Sequence, residues 1–213
     1  MEITNEEHKT ITGGLKVVLI GNVSTGKTSI LDKYIENVFK ENNKSTISPN
    51  YSHKLIKRNN SKYRLQCWDI PGQDRNPILT NIFCKDVNGI IFCCEVNNKK
   101  SKDDILLWKK SLESFINIEN IPIIILENKC DLLGDESNYN NNIEEIKNFS
   151  ENNKFYGAFR TSALNGYNIE KAMNFLIDEI IKITDNEHLI KDTNNLSTKI
   201  KSKIKEDKSK KCC

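Results

Sequence analysis

No stretch of this sequence approaches the roughly 18 consecutive apolar residues that a helical membrane span requires. A strong excess of one charge is missing too. With 32 Lys and Arg against 29 Asp and Glu, the net charge of +3 makes no case for a nucleic-acid partner. None of the seven cysteines forms a Cys-x-x-Cys pair, and their odd number argues against a disulfide framework. Cys67, Cys84, Cys93, Cys94 and Cys130 lie inside apolar or motif segments and are expected to be reduced, mostly buried thiols. The opening MEITNEEHKT is polar and partly acidic, unlike a secretory signal, and Glu2 is not the glycine that N-myristoylation needs. No internal repeat is present.

What is there is enough for one domain with tails: 213 residues, 37% of them apolar. Short β-rich apolar runs alternate with segments of helical period. LKVVLI (15–20) reads as a buried strand and GKTSILDKYIENVF (26–39) as a helix, with Ile30, Leu31, Tyr34, Ile35 and Val38 on its apolar side. YSHKLIKR and KYRLQCWD, split by Asn59-Asn60-Ser61, read as a hairpin. GIIFCCEV (89–96) and IPIIILEN (121–128) have almost no polar face, as in a parallel sheet covered on both sides. Helices are expected over 103–116, 142–151 and 168–183, the last with Asn168 as N-cap, and a final strand over 155–162. The order is an α/β one, a mostly parallel six-stranded doubly wound sheet with helices on both faces. Three parts follow: a polar extension (1–14), a folded domain (15–183) and a flexible basic tail (184–213).

Between the first strand and the first helix stands GNVSTGKTSI. Gly21, Asn22, Val23, Ser24, Thr25, Gly26, Lys27, Thr28 and Ser29 match the phosphate-cradling P-loop in the context that its mechanism needs. Backbone N–H groups at the helix start face phosphate oxygens, Lys27 adds charge, and the Thr28 hydroxyl suits Mg²⁺. Asn128, Lys129 and Asp131 leave a buried strand at its carboxyl end, where such sheets bind ligands. Asp131 can accept two parallel hydrogen bonds from guanine; adenine lacks that donor pair and would leave a carboxylate unpaired. Thr161-Ser162-Ala163 would offer a backbone N–H to the guanine carbonyl, with Leu164 following. In WDIPGQ, Asp69 can hold Mg²⁺ through water, the Gly72 N–H can meet the γ-phosphate, and Gln73 is placed to orient the attacking water.

These four motifs, in this order, resemble those of the Ras-like small GTPases across roughly residues 15–183. The resemblance implies bound GTP or GDP with Mg²⁺, makes Thr46 the first-switch threonine that joins the metal in the GTP state, and packs Phe39 on the guanine face. Trp68 before Asp69, the run Gln73-Asp74-Arg75 and the terminal Cys212-Cys213 resemble the Rab proteins, and WDI, LLWKKSL, IPIIILENKCD and TSALNGYNIEKAMNFL are similar to the branch serving lysosome-related organelles. By that likeness Tyr51, Trp68 and Phe83, with Ile47 beside them, form the effector surface. The same likeness implies that Cys212 and Cys213 would carry geranylgeranyl groups, and seven tail lysines (Lys199, Lys201, Lys203, Lys205, Lys208, Lys210, Lys211) would each add up to about 1 kcal/mol on an anionic leaflet. The partners implied are an exchange factor, a GTPase-activating protein, a prenylation escort, a GDP-dissociation inhibitor and trafficking effectors. The implied place is the cytoplasmic face of endosomal, lysosomal or phagosomal membranes, with a chaperone-bound cytosolic pool.

The chain departs from the family at several points. Ser48-Pro49-Asn50-Tyr51 replaces the usual Gly-Val-Asp-Phe of the first switch, and the proline restricts the backbone. Pro71 stands for alanine, as in translation GTPases, and Leu164 stands for lysine beside the base. Ser24 is expected to need a backbone angle that glycine takes more easily, and Val23 to crowd Gln73 and slow hydrolysis. No arginine is placed in cis, which also implies slow intrinsic turnover. A prenylated nucleotide-binding scaffold with an atypical cycle is the alternative. A P-loop kinase acting on a metabolite is disfavoured by the base motif and by the lack of a lid-like arginine cluster. In a competition assay GTP, and not ATP, should displace fluorescent GDP from the purified chain; equal displacement by ATP would contradict the assignment of Asp131.

Overall fold

Over residues 17–20, β1 (Ile11–Gly21) is apolar on both sides because both are covered. Val17 and Leu19 point into one hydrophobic cluster and Val18 and Ile20 into a second. Neighbouring strands repeat the split, with Ile91 and Cys93 against Ile90, Phe92 and Cys94, and Ile124 and Leu126 against Ile123 and Ile125. Period-2 alternation thus feeds two cores from one sheet. The computed structural model describes residues 11–41, 44–72 and 82–185.

After β1 come α1 (Lys27–Glu36), the hairpin β2 (Asn50–Arg58) and β3 (Ser61–Asp69), β4 (Gly89–Glu95), α2 (Lys99–Glu113), β5 (Ile123–Asn128), α3 (Ile143–Asn152), β6 (Gly157–Arg160) and a last helix, α4, over 169–185. The sheet order is β2-β3-β1-β4-β5-β6, with only β2 antiparallel to its neighbour. The expected six-stranded, mostly parallel sheet is therefore the one observed. α1 and α4 supply the first cluster through Ile30, Leu31, Tyr34, Ala172, Met173, Leu176, Ile177 and Ile180. α2 and α3 supply the second through Ile105, Trp108, Leu112 and Ile146. The parallel strands end together, so Gly21, Asp69, Glu95, Asn128 and Arg160 stand along one edge of the sheet.

Several boundaries differ from the sequence reading, each for a local reason. β1 begins at Ile11 rather than Leu15, because Ile11–Leu15 pair with Lys62–Leu65 of β3 and extend the sheet into the polar extension. α1 stops at Glu36, where Asn37 turns left-handed (φ 58°) and its N–H caps Asp32 and Lys33 carbonyls. Val38 therefore leaves the apolar stripe and is 41% exposed. The hairpin turn is only Asn59-Asn60, both at positive φ, and Ser61 already belongs to β3. α2 starts four residues early because the Asn98 side chain caps the Ser101 N–H (3.1 Å). Asn168 does not cap α4 with its side chain: its φ is 56°, and its Nδ2 donates to the Arg160 carbonyl at 3.1 Å.

All five cysteines of the domain are free and buried, as expected. Burial pushes the thiols of Cys67, Cys84, Cys93 and Cys130 up to about 12 and that of Cys94 well above its ordinary value. Such thiols are inert at neutral pH. A Cys212→Ser, Cys213→Ser double variant should show no fast reaction with Ellman's reagent at pH 8 while folded, and five reactive thiols in urea.

Candidate functional site

At the strand-end edge a cleft of about 410 Å³ opens between the β1–α1 loop, the segment before β2, and the loops after β5 and β6. Val23, Ser24, Gly26, Lys27, Thr28, Ser29, Phe39, Thr46, Gly72, Asn128, Lys129, Asp131, Ala163 and Leu164 all line it. The sequence-predicted residues Gly21, Asn22, Thr25, Asp69 and Ser162 stand behind that wall and shape it. Gln73 and Cys212-Cys213 lie outside the described residues, as do the tail lysines.

The loop closes on itself through Lys27, whose Nζ donates to the carbonyls of Gly21 and Asn22, each at 2.9 Å. Burial lowers the Lys27 pKa, against the opposing pull of Cys93 and Asp69, so its charge is poorly solvated and suited to an anion. Ser24 does adopt the left-handed angle expected of it (φ 64°), as does Gly26 (φ 89°). Glycine is required at 26 for a second reason. A Cβ there would stand 2.3 Å from Asn128 Nδ2, which donates to the neighbouring Thr25 carbonyl at 2.9 Å. Gly72 is equally confined, since a Cβ would meet the Asn22 carbonyl carbon and the Val23 nitrogen at 2.5 Å.

One end of the cleft gathers oxygen donors. The Thr28 hydroxyl lies 2.9 Å from that of Thr46 and donates to Asp69 Oδ2 at 2.5 Å, and Thr46 reaches the same oxygen at 3.4 Å. Asp69 is buried, its second oxygen has no hydrogen-bond partner among the described residues, and burial raises its pKa. An unsatisfied buried carboxylate oxygen beside two hydroxyls is the donor set of a hard cation.

The other end is braced by loops. Asn128, one of the expected nucleotide-binding residues, makes its amide hydrogen bonds within the protein. Its Oδ1 accepts from the Ala163 N–H at 3.2 Å and from Thr161 Oγ1 at 3.3 Å. Of the Thr161-Ser162-Ala163 segment, the Ala163 N–H therefore faces Asn128. Ser162 donates to Asp131 Oδ1, which holds that carboxylate at the cleft wall. Lys129 (φ 65°) pairs with Glu95 at 2.9 Å. Phe39 packs partly against the first cluster and presents the rest to the cleft, and Leu164 is 48% exposed beside it.

Sequence reasoning missed two sets of residues. Lys40, Glu41, Lys44 and Ser45 also line the cleft, because the chain must pass over it to carry Thr46 back to Thr28. Glu127 and Arg160 form a buried ion pair (2.6 Å) directly before Asn128 and Thr161, and Arg160 also reaches the carbonyls of Tyr139 and Asn141. Lone charged residues at strand ends carry no sequence signal for such pairing. Outside the cleft, Tyr51, Trp68 and Phe83 form a continuous aromatic row, with centroids 5.1 Å apart in each pair. Ile47, expected beside them, is 86% exposed.

Gly26→Ala should disrupt the Asn128–Thr25 link as well as strain the turn. Tight nucleotide retention should be lost on gel filtration, with a stability cost of about 1–3 kcal/mol in urea unfolding.

Residues 16–182 match the Ras family. Similar proteins include Ras-related protein Rab-32A of Dictyostelium discoideum, 34% identical over 78% of this chain and 78% of its own length. Ras-related protein Rab-32 of Homo sapiens is 32% identical over 78% of this chain and 74% of its own length. Ras-related protein Rab-7L1 of Homo sapiens is 31% identical over 78% of this chain and 82% of its own length. With the sheet order, the P-loop and the base-side loops already in place, these likenesses put the chain in the Ras family of small GTPases, in its Rab branch.

Proposed function

We propose that the chain is a GTP/GDP-cycling switch of vesicle trafficking that hydrolyses GTP to GDP and phosphate, slowly when unaided. The observation that carries this reading is the convergence of two unlike corners on one cleft: Thr28, Thr46 and Asp69 at one end, Asn128, Lys129 and Asp131 at the other. In this reading Lys27 exchanges the carbonyls of Gly21 and Asn22 for phosphate oxygens, which gives its buried charge a full partner. Asp131 receives the guanine ring N–H and amine, and Phe39 and Leu164 flank the base.

Thr28, Thr46 and, through water, Asp69 would hold Mg²⁺, which would neutralise phosphate charge there. Gln73 orients the attacking water. Val23, 39% exposed on the cleft wall, adds apolar bulk where the family likeness would bring an arginine from a partner, which is the ground for expecting slow intrinsic turnover. Loss of the γ-phosphate deprives Thr46 and Gly72 of a shared partner, and the segments they carry relax. The surface around Ile47, Tyr51, Trp68 and Phe83 then differs between states, which is what effectors would read.

The rest of the cycle follows the Rab likeness. Prenylated Cys212 and Cys213 and the lysine tail attach the chain to the cytoplasmic face of endosomal, lysosomal or phagosomal membranes. A prenylation escort delivers it, a GDP-dissociation inhibitor keeps a cytosolic pool, and an exchange factor and an activating protein turn the cycle.

Chromatography of nucleotide released from the purified chain should find GDP, and a single-turnover assay should show slow loss of GTP. An empty site, or GTP that never decays even with activating proteins from the same cell, would instead describe a scaffold without a cycle. In a pull-down, Gln73→Leu should retain effectors that Thr28→Asn does not.

A further inference from the structure

Asn22 is held more fully than its place in the phosphate loop requires. Its carbonyl accepts from Thr25 Oγ1 and from Lys27 Nζ, each at 2.9 Å. Its side-chain Nδ2 donates to Asp104 Oδ2 at 2.7 Å, and its Oδ1 accepts from Trp108 Nε1 at 3.1 Å. Gly72 approaches the same peptide so closely that a Cβ there would meet the Asn22 carbonyl carbon and the Val23 nitrogen at 2.5 Å.

Asp104 and Trp108 sit one turn apart on α2, 7% and 1% exposed, and neither lines the cleft. α2 is itself fixed, because Ile105, Trp108 and Leu112 are fully buried in the cluster that contains Val18 and Ile20 of β1. The match is also chemically directional. An amide is needed at 22, since one partner only accepts and the other only donates.

We propose that Asp104 and Trp108 are positioning residues for nucleotide retention, acting through the Asn22 side chain on the peptide between Asn22 and Val23. That peptide carries the carbonyl competing with phosphate for Lys27. Rotating it turns the carbonyl and the following N–H in opposite senses, so a side chain clamped from α2 sets both at once. The inference rests on the cleft being the nucleotide site.

The discriminating substitutions follow from the donor pattern. Asn22→Asp sets a carboxylate against the buried Asp104 carboxylate, which repels it. Asn22→Asp combined with Asp104→Asn restores one donor and one acceptor across the contact. Trp108→Phe removes only the N–H and keeps the core filled.

The test uses the full chain loaded with fluorescent GDP, chased with excess GDP, and ³¹P resonances of bound GDP as a second readout. Asn22→Asp should speed release by about tenfold, the combined swap should recover most of that loss, and Trp108→Phe should speed release by about threefold. The ³¹P lines should move in the two single variants and return in the swap. Unchanged release and unchanged ³¹P lines, with only a lowered melting temperature, would reduce both residues to core packing and overturn the inference. So would a swap no better than Asn22→Asp alone. Trp108→Phe carries the test by itself should Asn22→Asp fail to fold. A wild-type chain that binds no labelled GDP would overturn the cleft assignment together with the inference, whereas normal wild-type binding with indifferent variants overturns the inference alone.

Discussion

The hydrogen bond from Asn128 Nδ2 to the Thr25 carbonyl decides the shape of the site. It joins the loop after β1 to the loop after β5, two segments separated in the sheet by β4. The bond exists only because Gly26 leaves room for the amide. With its Oδ1 turned to Thr161 and Ala163, Asn128 also draws in the loop after β6. One buried side chain thereby holds the two ends of the cleft at a set distance. An orphaned amide here would cost about 1–3 kcal/mol and release three loops together.

The sheet makes that bond possible. Alternating side chains bury both faces of β1, β4 and β5, so the strands are locked in register and their ends form a level edge. Loops rooted on such an edge inherit its rigidity. The same edge collects charges that would be costly elsewhere: Lys27, Asp69, Glu127 and Arg160 are all buried there. Glu127 and Arg160 satisfy each other, and breaking the pair would leave a buried charge at a cost of about 3–5 kcal/mol. Lys27 and Asp69 are only partly satisfied by protein atoms among the described residues.

Of the departures from the family pattern, Val23, Ser24 and Leu164 fall in the cleft's walls. Leu164 and Val23 line the cleft with apolar surface, and Ser24 takes a left-handed angle that costs a non-glycine residue about 1–2 kcal/mol. Pro71 is buried and lacks an N–H, yet Gly72 keeps its close approach to the loop.

By itself the sequence determined the element order and marked the loops after β1 and β5, because those depend on local chemistry: glycine at sharp turns, period-2 apolar runs, and a lysine and threonine at a helix start. It also marked Thr28, Thr46 and Asp69, although only family likeness tied Thr46 to the other two. Tertiary structure decided that all three share one corner, that Asn128 braces loops with its amide, that Glu127 and Arg160 pair, and that Asn22 answers to α2. Those facts rest on residues far apart in the chain meeting at one sheet edge. Side-chain directions at such a meeting are set by packing from both faces, which no local pattern encodes.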